Sequence, residues 1–404
     1  MVKSNLIYLD FAGSAEPNPS SIHSAGVSAR KSLDDARRKV AEFIHARPNE
    51  IIFTASGTES NNLAITGLVW SNFSAFVPHV VTTNIEHPSV LETVRALTKR
   101  GMITSTIVPV EEDGVVDPKK IKSAITENTV LVSVMYANNE IGTVQPIDEI
   151  AKEIRHYRKT ARPAKFSWVL ESPSRVRSAR PLENFLDAPF FHVDAVQAVN
   201  HVPLNVEKLG VDLLTFSGAK VEGARGSGVL WKRKDVPLAP IMHGGEQEFG
   251  LRPGTENTEA VVKLGKALQG LSKTQGKESK RLTILRDYFF RELNKKKIFK
   301  ECGVVVNGSL EQRLPNNINI TFPKIPSELL VLELSARGVM VASKSACQSS
   351  NSEGSYVIGA IRPEIGKDIG GLRFSLGKST TKKEIEFTLK SLAEILLKLK
   401  EWYH

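Results

Sequence analysis

Apolar and polar positions alternate along the chain in short blocks. Apolar runs closed by small polar residues predict buried strands at Ile51–Thr54, His79–Thr83, Met102–Val108, Val130–Met135, in FFHV before Asp194, in VDLLTF, and at Val229–Trp231. Between them, apolar residues at helical spacing predict helices over Ser20–Ala46, Leu63–Trp70, from EHPSVLE onward, near 117–126, over Ile147–Arg158 and along Glu256–Lys297. This alternation predicts an α/β architecture. After the long helix the rhythm changes, with strands expected at Val304–Val306, Ile318–Phe322, Val339–Ala342 and Leu372–Ser375 and helices at Ser327–Arg337 and Lys382–Trp402. A short strand, Leu6–Asp10, is expected to open the chain.

At 404 residues the chain is long enough for two domains, and 41% hydrophobic with 24% charged residues is ordinary for a soluble protein. The N-terminus lacks the basic-then-apolar layout of a signal peptide, and no apolar run approaches the roughly 20 residues that span a bilayer. Two cysteines, Cys302 and Cys347, make no disulfide framework, so a cytoplasmic protein is expected. The net charge is +10, but the basic residues are dispersed, and KRK at 232–234 and KKK at 295–297 are short. Direct nucleic-acid binding is therefore not expected, whereas an acidic protein partner suits such a surface.

Two strand ends carry unusual polar residues. One delivers Asp194 and then Gln197; the other delivers Ser217, Gly218 and Lys220. A lysine amine can form a Schiff base with an aldehyde, and a carboxylate can hold a ring nitrogen protonated; pyridoxal phosphate (PLP) needs both. Upstream, Ile51–Thr54 runs through SGTESNN into a helix. A strand, a small polar turn and a helix N-terminus can bind phosphate, with Gly57 permitting close approach and Thr58 adding a hydroxyl. Taken alone this could be a capped helix start; with Lys220 downstream, phosphate binding is the better reading. No metal-ligand cluster is expected.

HVDAVQ followed by SGAK is similar to the HVDA(T/V)Q…SGHK of cysteine desulfurases of the NifS/IscS type, within the class V aminotransferase family. IIFTASGTESNN, EHPSVLE, YANNEIGTVQPI, GGEQEFGLRPGTEN, SKSACQSS and LRFSLG extend the resemblance over nearly the whole chain in family order. The resemblance implies a fold-type I PLP-dependent transferase. A large PLP-binding domain over 1–256 would hold a mainly parallel seven-stranded sheet, and a smaller α+β domain over 257–404 would carry the cysteine loop. The N-terminal segment would contribute to the small domain.

Site roles follow by resemblance. Lys220 would hold PLP and move the substrate α-proton, Asp194 would stabilise the protonated ring, and Gln197 would bond its phenolic oxygen. His87 would stack on the ring and relay protons. Gly57, Thr58 and Ser217 belong to the cofactor site, with Thr255 reaching the phosphate of a partner subunit in a homodimer. Asn139 would touch cofactor and substrate, one of a functional asparagine pair, and Arg373 would clamp the substrate carboxylate, for which its fork geometry suits it. Cys347, in a loop rich in small polar residues, would attack the sulfur of L-cysteine. This would leave L-alanine and a persulfide destined for an iron–sulfur scaffold or a tRNA-thiolation protein. The alternatives are a selenocysteine lyase, another class V PLP enzyme, or a non-catalytic homologue acting as an assembly partner.

The chain also departs from the family. Phe11 and Gly13 replace polar positions near the N-terminus, and an arginine-bearing insertion occupies about 161–188, read as a surface loop. Ala219 stands where a histidine is usual; one lost charge-assisted hydrogen bond would weaken phosphate binding by about 1.5–3 kcal/mol.

Overall fold

The apolar runs of the first half become one sheet in the computed structural model, which describes residues 7–71, 77–160, 188–343, 354–364 and 370–400. Its strands are β1 (Ile51–Thr54), β2 (His79–Thr83), β3 (Thr104–Val108), β4 (Thr129–Met135), β5 (Phe190–Asp194), β6 (Leu213–Ser217) and β7 (Gly228–Lys232). They lie in the order β1-β7-β6-β5-β4-β2-β3, with β7 antiparallel to both neighbours and the other pairings parallel. The helices of this part are α1 (Ser24–Ile44), α2 (Gly57–Trp70), α3 (Pro88–Lys99), α4 (Pro118–Ser123), α5 (Ile147–Thr160), α6 (Val206–Leu209) and the long α7 (Thr258–Lys295).

Every position of β4, β5 and β6 is buried, which is why these strands read as continuous apolar runs. Alternate side chains enter opposite layers. Phe191, Val193 and Leu214 join a core with α1 and the first half of α7, whereas Phe190 and Leu213 join another with α2 and α3.

The second part comprises α8 (Lys297–Glu301), β8 (Val305–Val306), β9 (Asn317–Thr321), α9 (Ser327–Ser335), α10 (Tyr356–Ile361), β10 (Leu372–Ser375) and α11 (Lys382–Lys400). Its antiparallel sheet has the order β10-β9-β8 and a separate apolar core. α7 serves both parts: Val261, Leu264 and Leu268 lie in the first core, Leu282, Phe289 and Leu293 in the second. α10 follows the second part in sequence but sends Val357, Ile358 and Ile361 into the first core.

Three local expectations fail. Residues 7–10 form no strand; Ile7 and Leu9 are exposed, and Asp10 instead accepts hydrogen bonds from Gly13 N–H (3.0 Å) and Ser21 Oγ (2.8 Å). α1 starts at Ser24 rather than Ser20, because Asn18 captures the Ser20 and Ser21 amides in a turn and His23 caps the helix through Gly26 N–H. Ile22, counted in the apolar stripe, is accordingly 97% exposed. Val339–Ala342 makes only a bridge between Ala342 and Arg373, and Met340 faces solvent. No helix among the described residues is long and apolar enough to cross a membrane. The insertion at 161–187 and the segment carrying Cys347 lie outside the described residues.

Candidate active site

Parallel pairing of β5 with β6 sets Asp194 opposite Thr215, so the two polar strand ends leave the same edge of the sheet. Asp194 is 4% exposed. Its Oδ1 accepts the Val196 N–H at 2.9 Å and its Oδ2 accepts the Asn61 side-chain amide at 2.7 Å. Burial pushes its pKa upward, against the opposing pull of His87 and of these two donors. Among the described residues no lysine or arginine forms an ion pair with it, so a buried carboxylate stands ready for a cation brought by a ligand.

Asn61 also donates to Ser89 Oγ at 2.8 Å, spending its second hydrogen. With its oxygen occupied as an acceptor, Ser89 gives its own hydroxyl proton to His87 Nδ1 at 2.8 Å, and the Ser89 N–H points to the same nitrogen at 3.1 Å. This network assigns the His87 proton to Nε2. Desolvation lowers the His87 pKa, Asp194 opposes that and Lys220 adds to it, so the ring is neutral near pH 7. His87 itself is held as the N-cap of α3, ahead of Pro88.

Lys220 ends a single 3-10 turn, Gly218–Lys220, that Ser217 caps by accepting the Ala219 N–H at 3.3 Å. The Lys220 carbonyl accepts from Asn200, and its side chain is exposed. Ala219 is exposed as well and offers no side-chain donor there. The start of α2 meets both strand ends at Gly57. A Cβ on that glycine would lie 2.9 Å from Val196 Cγ2 and 3.2 Å from Ser217 Cβ. Ser56 caps α2 through Glu59 N–H, and the first amides of the helix have no intrahelical acceptor. Gly57 thus packs against Val196 and Ser217, beside Asp194 and the half-buried Gln197 in the chain, with Thr58 next to it on α2. Thr255 is exposed on the loop before α7, which Arg252 ties to α2 by a 2.9 Å bond to Glu59.

The second half of the site comes from YANNEIGT and β10. Asn138 is consumed structurally: its Oδ1 accepts Glu140 N–H (2.8 Å) and Ile141 N–H (3.0 Å), and its Nδ2 donates to Ile85 O (2.9 Å). Asn139 is the member of the pair left for chemistry, and its buried Oδ1 has no hydrogen-bond partner among the described residues. Arg373 Nη1 donates to the Asn139 carbonyl at 2.9 Å, while Arg373 Nε is buried and without a partner among the described residues. Buried polar atoms are normally satisfied, so an unpaired acceptor on Asn139 and an unpaired guanidinium N–H on the Arg373 bonded to its carbonyl point to a polar ligand.

These residues fit PLP with an amino-acid substrate. The chain supplies a lysine able to bind an aldehyde, a buried carboxylate suited to a ring nitrogen, a helix N-terminus suited to phosphate, and an arginine suited to a carboxylate.

Asn61, Ser89, Glu86 and Glu140 escaped the sequence reading. Asn61 lies one helical turn beyond Gly57, so its face was legible from spacing. Glu86 was not: this fully buried acid accepts from Thr83 Oγ1 (2.6 Å) and Met135 N–H (2.9 Å), and burial raises its pKa to about 8.

Comparison with known proteins accords with this geometry. The model of the aminotransferase class-V family matches residues 6–161 and 186–387. A protein of Dictyoglomus turgidum named cysteine desulfurase IscS is 41% identical over 383 residues, covering 95% of this chain and 88% of its own. One of the same name from Methanosarcina thermophila is 40% identical over 384 residues, covering 95% and 86%. A solved structure described as a NifS-like protein superposes with a TM-score of 0.79 at 32% identity, covering 94% of this chain and 91% of that one. The chain belongs to the aminotransferase class-V family.

Proposed function

We propose that the protein is a PLP-dependent cysteine desulfurase, acting in the cytoplasm as a homodimer, that supplies sulfur from L-cysteine to a protein acceptor. The observation that carries this reading is the hydrogen-bonded chain Asp194–Asn61–Ser89–His87, with Lys220 near enough to act on His87, together with the unpaired polar atoms of Asn139 and Arg373. Its relatives named cysteine desulfurase select this activity within the family.

Bound PLP supplies an electron sink that makes the substrate Cα–H and Cβ–S bonds labile. Lys220 Nζ would hold the cofactor aldehyde and, when free, is the base that would take the substrate Cα proton. The Asp194 carboxylate would keep the ring nitrogen protonated, and Gln197 would bond the phenolic oxygen. His87, neutral with its proton on Nε2, would lie against the ring. The α2 amides with Thr58 and Ser217 would take the phosphate, and Thr255 of the partner subunit would complete that site. Arg373 and Asn139 bind the substrate carboxylate.

Cys347 Sγ, as thiolate, attacks the substrate sulfur. A sulfur–sulfur bond forms, the Cβ–S bond breaks, its electron pair returns to the substrate carbons, and protonation yields L-alanine. The persulfide then passes to an acceptor, an iron–sulfur scaffold or a tRNA-thiolation protein, for which the net charge of +10 suits an acidic surface.

The test is sulfide release from L-cysteine under reducing conditions by the holoenzyme and by Cys347→Ala. Release by the parent and loss in the variant is the expected result. Equal release by both removes Cys347 from the reaction, and no release by the PLP-loaded parent overturns the activity.

A further inference from the structure

Glu140 follows Asn139 and is 2% exposed, yet the chemistry above does not use it. Its backbone is fixed from both sides. The N–H donates to Asn138 Oδ1 (2.8 Å), and the carbonyl accepts from Asn317 Nδ2 (2.9 Å) and Asn319 Nδ2 (3.0 Å) of β9. Its carboxylate Oε2 accepts from Ser355 Oγ at 2.5 Å, and the same hydroxyl caps α10 by accepting Ile358 N–H. The side chain is therefore held in place by groups that do not depend on any ligand.

This carboxylate acts on Arg373. Burial lowers the Arg373 pKa, and the Glu140 charge is what opposes that effect. Without substrate, the half-buried guanidinium beside Asn139 already lies in the field of a buried carboxylate one residue along the same turn. When an amino-acid carboxylate arrives, it meets a cation whose field is already partly cancelled.

We propose that Glu140 is a built-in counter-charge that limits the affinity of the Arg373 subsite for carboxylates, so that a product keeping the substrate's carboxylate can leave. The proposal rests on the reading of Arg373 and Asn139 as the carboxylate subsite. It predicts the opposite of a purely structural role: removing the charge while keeping the shape tightens carboxylate binding.

The experiment titrates holoenzyme with L-alanine and with ethylamine, the same amine without its carboxylate, by calorimetry. In Glu140→Gln the ratio of L-alanine to ethylamine affinity is expected to rise at least fivefold, and steady-state assays to show a lower KM for L-cysteine without a gain in kcat. Glu140→Asp, which keeps the charge, and Ser355→Ala, which disturbs the same packing without removing it, are expected to leave the ratio within twofold. Should the glutamine variant not fold, Glu140→Met supplies the neutral side chain. A ratio in the neutral variant equal to or below the parent's overturns the proposal. Arg373→Ala separates the two layers: if it fails to lower the ratio, the subsite reading falls, and if it lowers the ratio while Glu140→Gln leaves it unchanged, only the counter-charge falls.

Discussion

Replacing Asn61 by alanine tests the electrostatics of the site most directly. One amide nitrogen there serves two acceptors, Asp194 Oδ2 at 2.7 Å and Ser89 Oγ at 2.8 Å. The first bond stabilises the charged form of a buried carboxylate, and such bonds contribute about 1.5–3 kcal/mol. Without it the Asp194 pKa moves further up, and the carboxylate loses part of its advantage in holding a protonated ring nitrogen. If that loss is expressed in cofactor binding, PLP affinity falls roughly 10- to 150-fold. The second bond orients the Ser89 hydroxyl toward His87, so the variant also frees the tautomer of His87. Asn61→Asp is the sharper arm, since it keeps the shape but presents a carboxylate to a carboxylate. The assay is titration of apoprotein with PLP, followed by the absorbance of the bound cofactor, with circular dichroism melts as the control for folding. A dissociation constant within twofold of the parent in a folded Asn61→Ala protein would refute the claim that Asn61 sets the charge state of Asp194.

Glu86 makes a pH prediction. Its folded pKa of about 8 lies above the ordinary 4.5, so the folded state binds more protons and stability falls as pH rises between those values. Glu86→Gln removes that titration, and the drop in apoprotein melting temperature between pH 5 and pH 8 should shrink, by the equivalent of a few kcal/mol; an unchanged drop means Glu86 is ionised in the folded protein. The buried pair of Arg37 with Glu248, at 2.6 and 2.8 Å, leaves an uncompensated guanidinium if Glu248 is cut to alanine. That costs about 3–5 kcal/mol and, for a chain of 404 residues, should lower the melting temperature by roughly 4–6 °C, whereas Arg37→Leu with Glu248→Leu should recover most of it. No recovery would show that packing rather than charge burial dominates.

The sheet was legible because β4, β5 and β6 are buried on both faces and so read as unbroken apolar runs. The polar residues that end β5 and β6 announced the site, since Asp194, Ser217 and Lys220 interrupt those runs abruptly. The sequence was misleading where an apolar pattern found no partner. Ile7, Leu9 and Ile22 alternate well enough to suggest a strand and a helix stripe, but side-chain bonds from Asn18, Asp10 and His23 fix that segment as turns. It was silent on Glu86 and Glu140, because a single acid within a polar motif looks the same whether it faces solvent or sits with 0% or 2% of its surface exposed.

The site gathers three buried carboxyl groups, and each is accommodated differently. Glu86 keeps its proton through neutral pH, because burial outweighs its two donors. Asp194 accepts bonds from Val196 and Asn61, which oppose the upward push of burial on its pKa. Glu140 is bonded by Ser355 and lies in the field of Arg373. A neutral Glu86 matters to Asp194, since a second negative charge would raise the Asp194 pKa through the same repulsion by which Asp194 raises that of Glu86. On the proposed reading the labour divides: one acid stays neutral, a second would hold a cation on the cofactor side, and the third offsets Arg373 on the substrate side. Raising the pH through about 8 should disturb the cofactor side first, because Glu86 borders Asp194 through β2 and β4 whereas Glu140 is held on the turn that β9 supports.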